Sequence, residues 1–264
     1  MPAVSVPCTK IATERPSLRA VQARNETLLA RLEVDFARSV KNARNAFVGA
    51  CAFSYEHEGD RTFDGELIAH RVALASLIDA QTRRVIPRFA RLTLGEIALL
   101  ARKAEEESWI DRLIRDWLAA QALARARLIA ETARDDILKA IQAGVGAGDG
   151  TEAIARRIRK VSALSPWRAA TIARTETHQA ALFAQAEAAR RGAEEHGLQL
   201  EKVWLATLDH RTRDAHAAMN RKAVPQGEKF IVAGVPMDRP GDPSAPPELV
   251  VNCRCTMMLR QAGD

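Results

Sequence analysis

The sequence predicts a mainly α-helical N-terminal half with long helices, followed by a small α+β C-terminal domain with a short antiparallel sheet. Three observations predict it. Apolar residues recur at spacings of three, four and seven from Leu18 to Phe47, and at helical spacing again from Ile97 to Ile141. The run Ala143-Gly144-Val145-Gly146-Ala147-Gly148-Asp149-Gly150 then interrupts that pattern, since each glycine costs a helix about 1 kcal/mol relative to alanine. Beyond Leu198 the apolar period changes from 3.6 to 2, the signature of half-buried strands. We place a boundary at the glycine run, giving a helical region 1–147 and a second domain 148–264.

Composition narrows the class. Hydrophobic residues make up 47% and charged residues 27% of the 264, as in soluble globular proteins, and no run approaches the ~18 apolar residues of a membrane span. The N-terminus lacks a secretory pattern, so we expect synthesis in the cytoplasm and no membrane partner. The net charge of +6 is mildly basic, but the charges alternate in sign and form no long basic run. Four cysteines (Cys8, Cys51, Cys253, Cys255) are too few for a disulfide framework at this length.

In chain order, residues 1–13 have no periodicity and read as a flexible tail. A first helix follows from about Ser17, its apolar stripe formed by Leu18, Val21, Leu28, Leu32, Phe36, Val40, Ala43 and Phe47. The composition of Tyr55–Asp60 is that of a turn. A second helix uses Leu67, Leu74, Leu77 and Ile78 and is expected to stop before Pro87. Thr93-Leu94-Gly95-Glu96 reads as a capping box opening a third, nearly uninterrupted helix of about 70 Å through Ile110, Leu113, Trp117, Leu128 and Leu138 to Ile141. Cys51 reads as a small core residue, His57 and His70 as isolated surface or core histidines, and Glu105-Glu106-Glu107 as a solvated face.

After the glycines, a short helix carries Ile154, Ile158 and Val161 on one face and Arg156, Arg157, Arg159 and Lys160 on the others. Ser165-Pro166 then supplies an N-cap and a proline at the first helical position. That helix runs through Arg174-Thr175-Glu176-Thr177 to Arg191, with Gly192 as its terminator. Arg174 and Glu176, two apart, do not share a face. Leu198, Leu200 and Trp204 read as a strand leading into Thr207–His216, a loop dense in Asp, Arg and His. Phe230-Ile231-Val232 reads as a second strand, Pro240–Pro247 as a rigid loop, and Val250–Met257 as a closing strand. On that strand Val251, Cys253, Cys255 and Met257 would face one side, and Asn252, Arg254 and Thr256 the other.

Four groups of residues then appear in a recognisable order: Ile172–Thr177; Trp204 with Asp209, Arg211-Thr212-Arg213 and His216; Pro240-Gly241-Asp242-Pro243; and Asn252-Cys253-Arg254-Cys255. Together they resemble the phage Mu protein F-like, or phage head morphogenesis, family over about residues 148–260. Asn220-Arg221 stands where the family commonly has a glycine. The resemblance implies a minor head (capsid) protein of a tailed phage or prophage, located in the virion near the portal vertex. Such a protein acts in head assembly, DNA packaging or DNA delivery, and is not an enzyme. Its implied partners are the portal protein and capsid or procapsid components, with the helical region 1–147 as the part adapted to them. Related domains also precede toxin modules; with the chain ending at Asp264 we expect no such effector here.

Two chemistries remain open for the motif residues. In one, Arg174, Glu176, Asp209, Arg213, His216, Asn252, Cys253, Arg254 and Cys255 form a buried polar cluster: Arg213 or Arg254 pairs with Asp209, and Asn252 holds a loop backbone. In the other, Cys253 and Cys255 join His216 and either Asp209 or His210 around Zn²⁺, which would require a local bend to bring the two sulfurs together. We favour the cluster, and so no cofactor, with zinc as the alternative. A disulfide between residues two apart on a strand, ~6.6 Å at the Cα atoms, is disfavoured. Asp209, His210, His216 and Asn220 also permit an alternative reading as a metal-dependent nuclease. The basic faces at Arg156, Arg157 and Lys160, and at Arg190-Arg191, suit non-specific contact with packaged DNA.

Overall fold

The computed structural model describes residues 17–58, 62–101, 108–163 and 166–263. Three long helices come first: α1 (Leu18–His57), α2 (Asp64–Ala101) and α3 (Ser108–Gly146). Ser17 caps α1, accepting a hydrogen bond from the Ala20 N–H at 3.2 Å. The apolar stripe of α1 faces inward as its spacing requires, with Val21, Leu32, Phe36, Val40 and Phe47 buried. α4 (Thr151–Ala163) and α5 (Pro166–His196) follow, and α5 lies against both α1 and α2. One apolar cluster joins Phe36, Val40 and Phe47 of α1 to Leu74 and Ile78 of α2, Ala126, Ala130 and Ile137 of α3, Ile158 of α4 and Ala173 of α5. A second joins Leu32, Ile86, Phe89, Trp117 and the alanines of α5. Both are rich in alanine, whose small volume lets helix axes approach closely.

Local signals and the folded helices part company at four places. α2 runs straight through Pro87 and through the Thr93–Glu96 box, so neither the expected stop nor the expected start exists. Val85, Ile86, Phe89, Ala90, Thr93 and Ile97 form one buried face, and packing of that face outweighs one lost N–H and an unused cap. The expected continuous helix from the Thr93–Glu96 box to Ile141 is instead two, α2 ending at Ala101 and α3 beginning at Ser108. Gly192 does not terminate α5, which continues to His196 before Gly197 turns with φ +62°. A Cβ on Gly192 would lie 2.9 Å from Ile97 Cδ1, so this glycine is a notch that seats Ile97. Gly144, inside α3, seats Ile154 in the same manner: a Cβ there would lie 2.7 Å from Ile154 Cγ1. The tail 1–13, Gly59-Asp60, Glu105–Glu107 and Ser165 lie outside the described residues.

The C-terminal sheet has order β2-β1-β5, all antiparallel. β1 (Leu200–Leu205) pairs along its length with β5 (Thr256–Gln261), from Leu200 opposite Gln261 to Leu205 opposite Thr256. On its other side β1 pairs with β2 (Ala223–Pro225). β3 (Phe230–Val232) and β4 (Val235–Met237) form a hairpin whose two turn residues, Ala233 and Gly234, both have positive φ, as a tight turn matched to strand twist requires. Two four-residue helices, α6 (Asp214–Ala217) and α7 (Pro247–Val250), complete the domain. Its core gathers Trp204, Met219, Phe230, Val232, Met237, Cys253 and Cys255.

The expected strand over Val250–Met257 is a further correction. Val250 ends α7, Val251-Asn252 form a turn in which Asn252 takes φ +60°, and β5 begins only at Thr256. Side chains therefore do not alternate there: Val251 is exposed, whereas Cys253, Cys255, Thr256 and Met257 are all buried. Period-two alternation holds only for a regular strand, and the left-handed residue breaks it.

Candidate functional site: a polar lock across three segments

The site is built on α5. Arg174, His178 and Gln185, spaced four and seven, lie along one face of that helix and reach the same piece of chain. Arg174 Nη1 donates to Asn252 Oδ1 at 2.6 Å, and its Nε donates to Glu33 of α1 at 3.2 Å. His178 Nε2–H donates to the Cys255 carbonyl at 2.5 Å, and Gln185 donates to the Met257 carbonyl at 3.0 Å. Thr175 Oγ1 accepts from the Asn252 N–H at 3.0 Å, which pins the left-handed turn. Burial lowers the His178 pKa, consistent with a neutral ring that donates from Nε2.

The Asp209 loop is the second segment. Arg254 grips Asp209 with both guanidinium nitrogens at 2.5 Å, a bidentate pair, and the Arg211 N–H adds a third bond at 2.9 Å. Those bonds hold the Asp209 carboxyl well below the usual range. Of the two arginines considered for Asp209, Arg254 takes the role; Arg213 donates to the Val251 carbonyl at 2.7 Å instead. Thr207 Oγ1 donates to the Arg254 carbonyl at 2.9 Å and lies 3.1 Å from Glu26 of α1. Both of these Asn252 bonds, at its Oδ1 and at its N–H, run to side chains of α5 rather than to a loop backbone. Glu176 faces away, 3.7 Å from Arg125 of α3, its carboxyl pKa raised by burial against the pull of that arginine.

His216 and the two cysteines form the third group. His216 Nδ1 lies 3.6 Å from Cys253 Sγ and 3.4 Å from Cys255 Sγ, and all three residues are buried. Trp204 packs edge-on against both His216 and Phe230, at 5.5 and 5.2 Å between ring centroids, walling the group off from solvent. The Cys255 thiol is pulled down by the bond it receives from Cys253 and by His216; Cys253 is pushed up by that same bond and by burial. Among the described residues Asp209 and His210 stand outside this donor group: Asp209 is held by Arg254, and His210 is exposed. Asn220, the fourth residue of the nuclease reading, accepts from the Ala206 N–H at 3.1 Å. Arg156, Arg157 and Arg190 are engaged by Glu152, Asp149 and the pair Glu187/Glu194, while Lys160 is exposed.

The motif Pro240-Gly241-Asp242-Pro243 has a local explanation. Gly241 has φ +74°, and a Cβ there would stand 2.8 Å from His178 Nδ1, so its bare backbone covers the buried histidine. Asp242 organises the loop by accepting from the N–H groups of Asp238 and Ser244 at 2.7 and 3.0 Å. Lys202, wholly buried, closes the loop from the sheet side with Nζ 2.6 Å from Asp238 Oδ1 and 2.7 Å from its carbonyl. His178, Gln185 and Lys202 escaped the sequence reading. Their spacing of four and eleven from Arg174 was the available signal for the first two; Lys202 had none.

One helix face, one acidic loop and one Cys-x-Cys turn are thus joined by bonds between side chains and from side chains to backbone. Residues 135–258, just under half of the chain, match the family model of Phage Mu protein F like protein. The match begins inside α3, before the glycine run. The chain is 32% identical over 132 residues to the Minor head protein GP7 of Bacillus phage SPP1, covering 49% of this chain and 42% of that protein. It is also 34% identical over 116 residues to the NAD(+)--arginine ADP-ribosyltransferase EFV of Enterococcus faecalis (strain ATCC 700802 / V583), covering 43% of this chain and 23% of that protein. The chain thus spans less than half the length of either relative. No solved structure gives a significant match.

Proposed function

We propose that this protein is a minor head protein of a tailed bacteriophage or prophage, acting in head morphogenesis at the portal vertex during assembly, DNA packaging or DNA delivery. One observation carries the reading. Residues from all four motif groups meet in one lock: Arg174 with Asn252, Asp209 with Arg254, His216 with Cys253 and Cys255, and Gly241 against His178. Residues spread over some eighty positions are therefore explained by one structural requirement, that of the Mu F-like domain, and not by a reaction. The helices that precede the matched residues 135–258 are then the part that meets portal or capsid components. No described helix is long and apolar enough to cross a membrane.

The role is non-enzymatic. Both Asp209 oxygens are bound by Arg254, and His216 points at buried thiols, so neither is available to activate water. The ADP-ribosyltransferase relative is matched over less than a quarter of its length, and its activity is not carried over. Fractionation after induction of the phage tests the proposal. The protein should co-sediment with procapsids or heads and co-purify with the portal; absence from procapsids and mature heads alike overturns it. Weak DNA binding that falls steeply with salt is expected if Lys160 and its neighbours meet packaged DNA, and salt-insensitive binding argues against that contact.

A further inference from the structure

We propose that His216, Cys253 and Cys255 constitute a zinc site that staples the 207–216 loop and α6 to the segment entering β5. The three donor atoms lie within 4.8 Å of one another. Two ligands on one tetrahedral zinc, at ~2.3 Å for sulfur and ~2.0–2.1 Å for nitrogen, stand about 3.6 Å apart. The His216 Nδ1 to sulfur distances of 3.6 and 3.4 Å match that separation. Both nitrogen-to-sulfur distances therefore already have the value that the ion would impose.

The backbone supplies what a Cys-x-Cys pair ordinarily lacks. On a regular strand the two cysteines would stand ~6.6 Å apart at their Cα atoms, with side chains running parallel. Here the left-handed Asn252, with the Cys253 N–H bonded to the Val250 carbonyl at 3.3 Å, turns the chain immediately before the first cysteine. Both sulfurs then converge on one ring. Charge fits the burial as well: two thiolates, a neutral imidazole and Zn²⁺ sum to zero, so the loaded site buries no net charge. Loading displaces one proton from each thiol and releases both to solvent. No further His, Cys, Asp or Glu joins the group among the described residues, so these three residues are the ligands the protein supplies. A thiolate pair with an imidazole selects zinc over magnesium or calcium. Arg254 lies between the two ligands, so the ion fixes the backbone on both sides of the guanidinium that grips Asp209.

The test uses the full chain, purified without a histidine tag. Elemental analysis should find about one zinc per chain. Exchange for Co²⁺ should give the visible bands of a tetrahedral ion and a near-ultraviolet sulfur-to-cobalt charge-transfer band. Cys255→Ser should lose that band, and Cys51→Ser, altered in the helical core, should keep it. If Cys255→Ser does not fold, the wild-type cobalt spectrum decides alone. Zinc at trace level after incubation with equimolar zinc, a cobalt spectrum without charge transfer, or recovery of Cys253 and Cys255 as a disulfide overturns the site. This outcome is independent of particle fractionation, so either proposal can fail without the other.

Discussion

The helical region and the C-terminal domain solve the same problem by different means. α1, α2 and α3 bury long apolar faces of alanine, aliphatic and aromatic residues, into which a few polar groups are set, such as Gln81 donating to the Leu32 carbonyl at 2.9 Å. The C-terminal domain has strands of three to six residues and a small core, and is held by side chains that bond backbone across long stretches of sequence. Apolar seams tolerate exchange between side chains of similar volume, because dispersion and burial carry no direction. Directional bonds to backbone tolerate almost none, because an abandoned buried carbonyl costs about 1–3 kcal/mol. The difference explains why the recognisable motifs fall in one part of the chain and not in the other.

Substitutions can break or sharpen that contrast. The largest effect is expected from Trp204→Ala, which empties the centre of the small core and should cost about 3–5 kcal/mol in urea unfolding. A loss under about 1 kcal/mol would mean that the polar lock alone holds the domain. Next comes His70, one of several buried polar residues in the helical region, stacked on Phe47 at 4.5 Å. Burial, then the charge of Arg44, lowers its pKa to about 4. Its unfolded form binds a proton first, so its contribution is complete above pH ~6.5 and declines as pH falls toward 4, by up to ~3 kcal/mol. Stability measured across that window in wild type and His70→Phe should show the slope in the first only. Thr175→Val removes the acceptor for the Asn252 N–H and should cost about 1–2 kcal/mol with little change of volume. Smallest should be Ile86→Leu in the helical seam, near or below about 1 kcal/mol. If Ile86→Leu cost more than Thr175→Val, the contrast would be reversed.

How much of this was legible in the sequence follows the same division. The α1 stripe, the strand at Leu200–Leu205 and the hairpin strand at Phe230–Val232 could be read because burial imposes a period on the residues themselves. Pro87 and the Thr93–Glu96 box misled because local signals are worth a few kcal/mol at most, and the buried face from Val85 to Ile97 outweighs them. The alanine seam of Ala122, Ala126, Ala130 and Ala133 has the right period but little hydropathy contrast, so it left no visible stripe. At the site, the pairing of Asp209 with an arginine was legible from charge, but not which arginine. The turn before Cys253 was not legible, because asparagine only sometimes adopts positive φ.

The notch at Gly192 reaches further than its one missing methyl suggests. Ile97 rests on the only residue of that stretch of α5 without a side chain, with Ala189 three residues before it and Ala193 next after it in the same apolar cluster. Advancing α5 by one residue would move it 1.5 Å and turn it ~100°, setting a Cβ under the isoleucine. The two helices can therefore mate at one longitudinal position, as a key enters a keyway. α5 carries the bonds that hold the 252–257 segment, so the whole C-terminal sheet takes its address relative to α2 from that fit. A protein that must present one surface reproducibly to a large symmetric shell would gain from such an indexing device, set in the seam between its two parts.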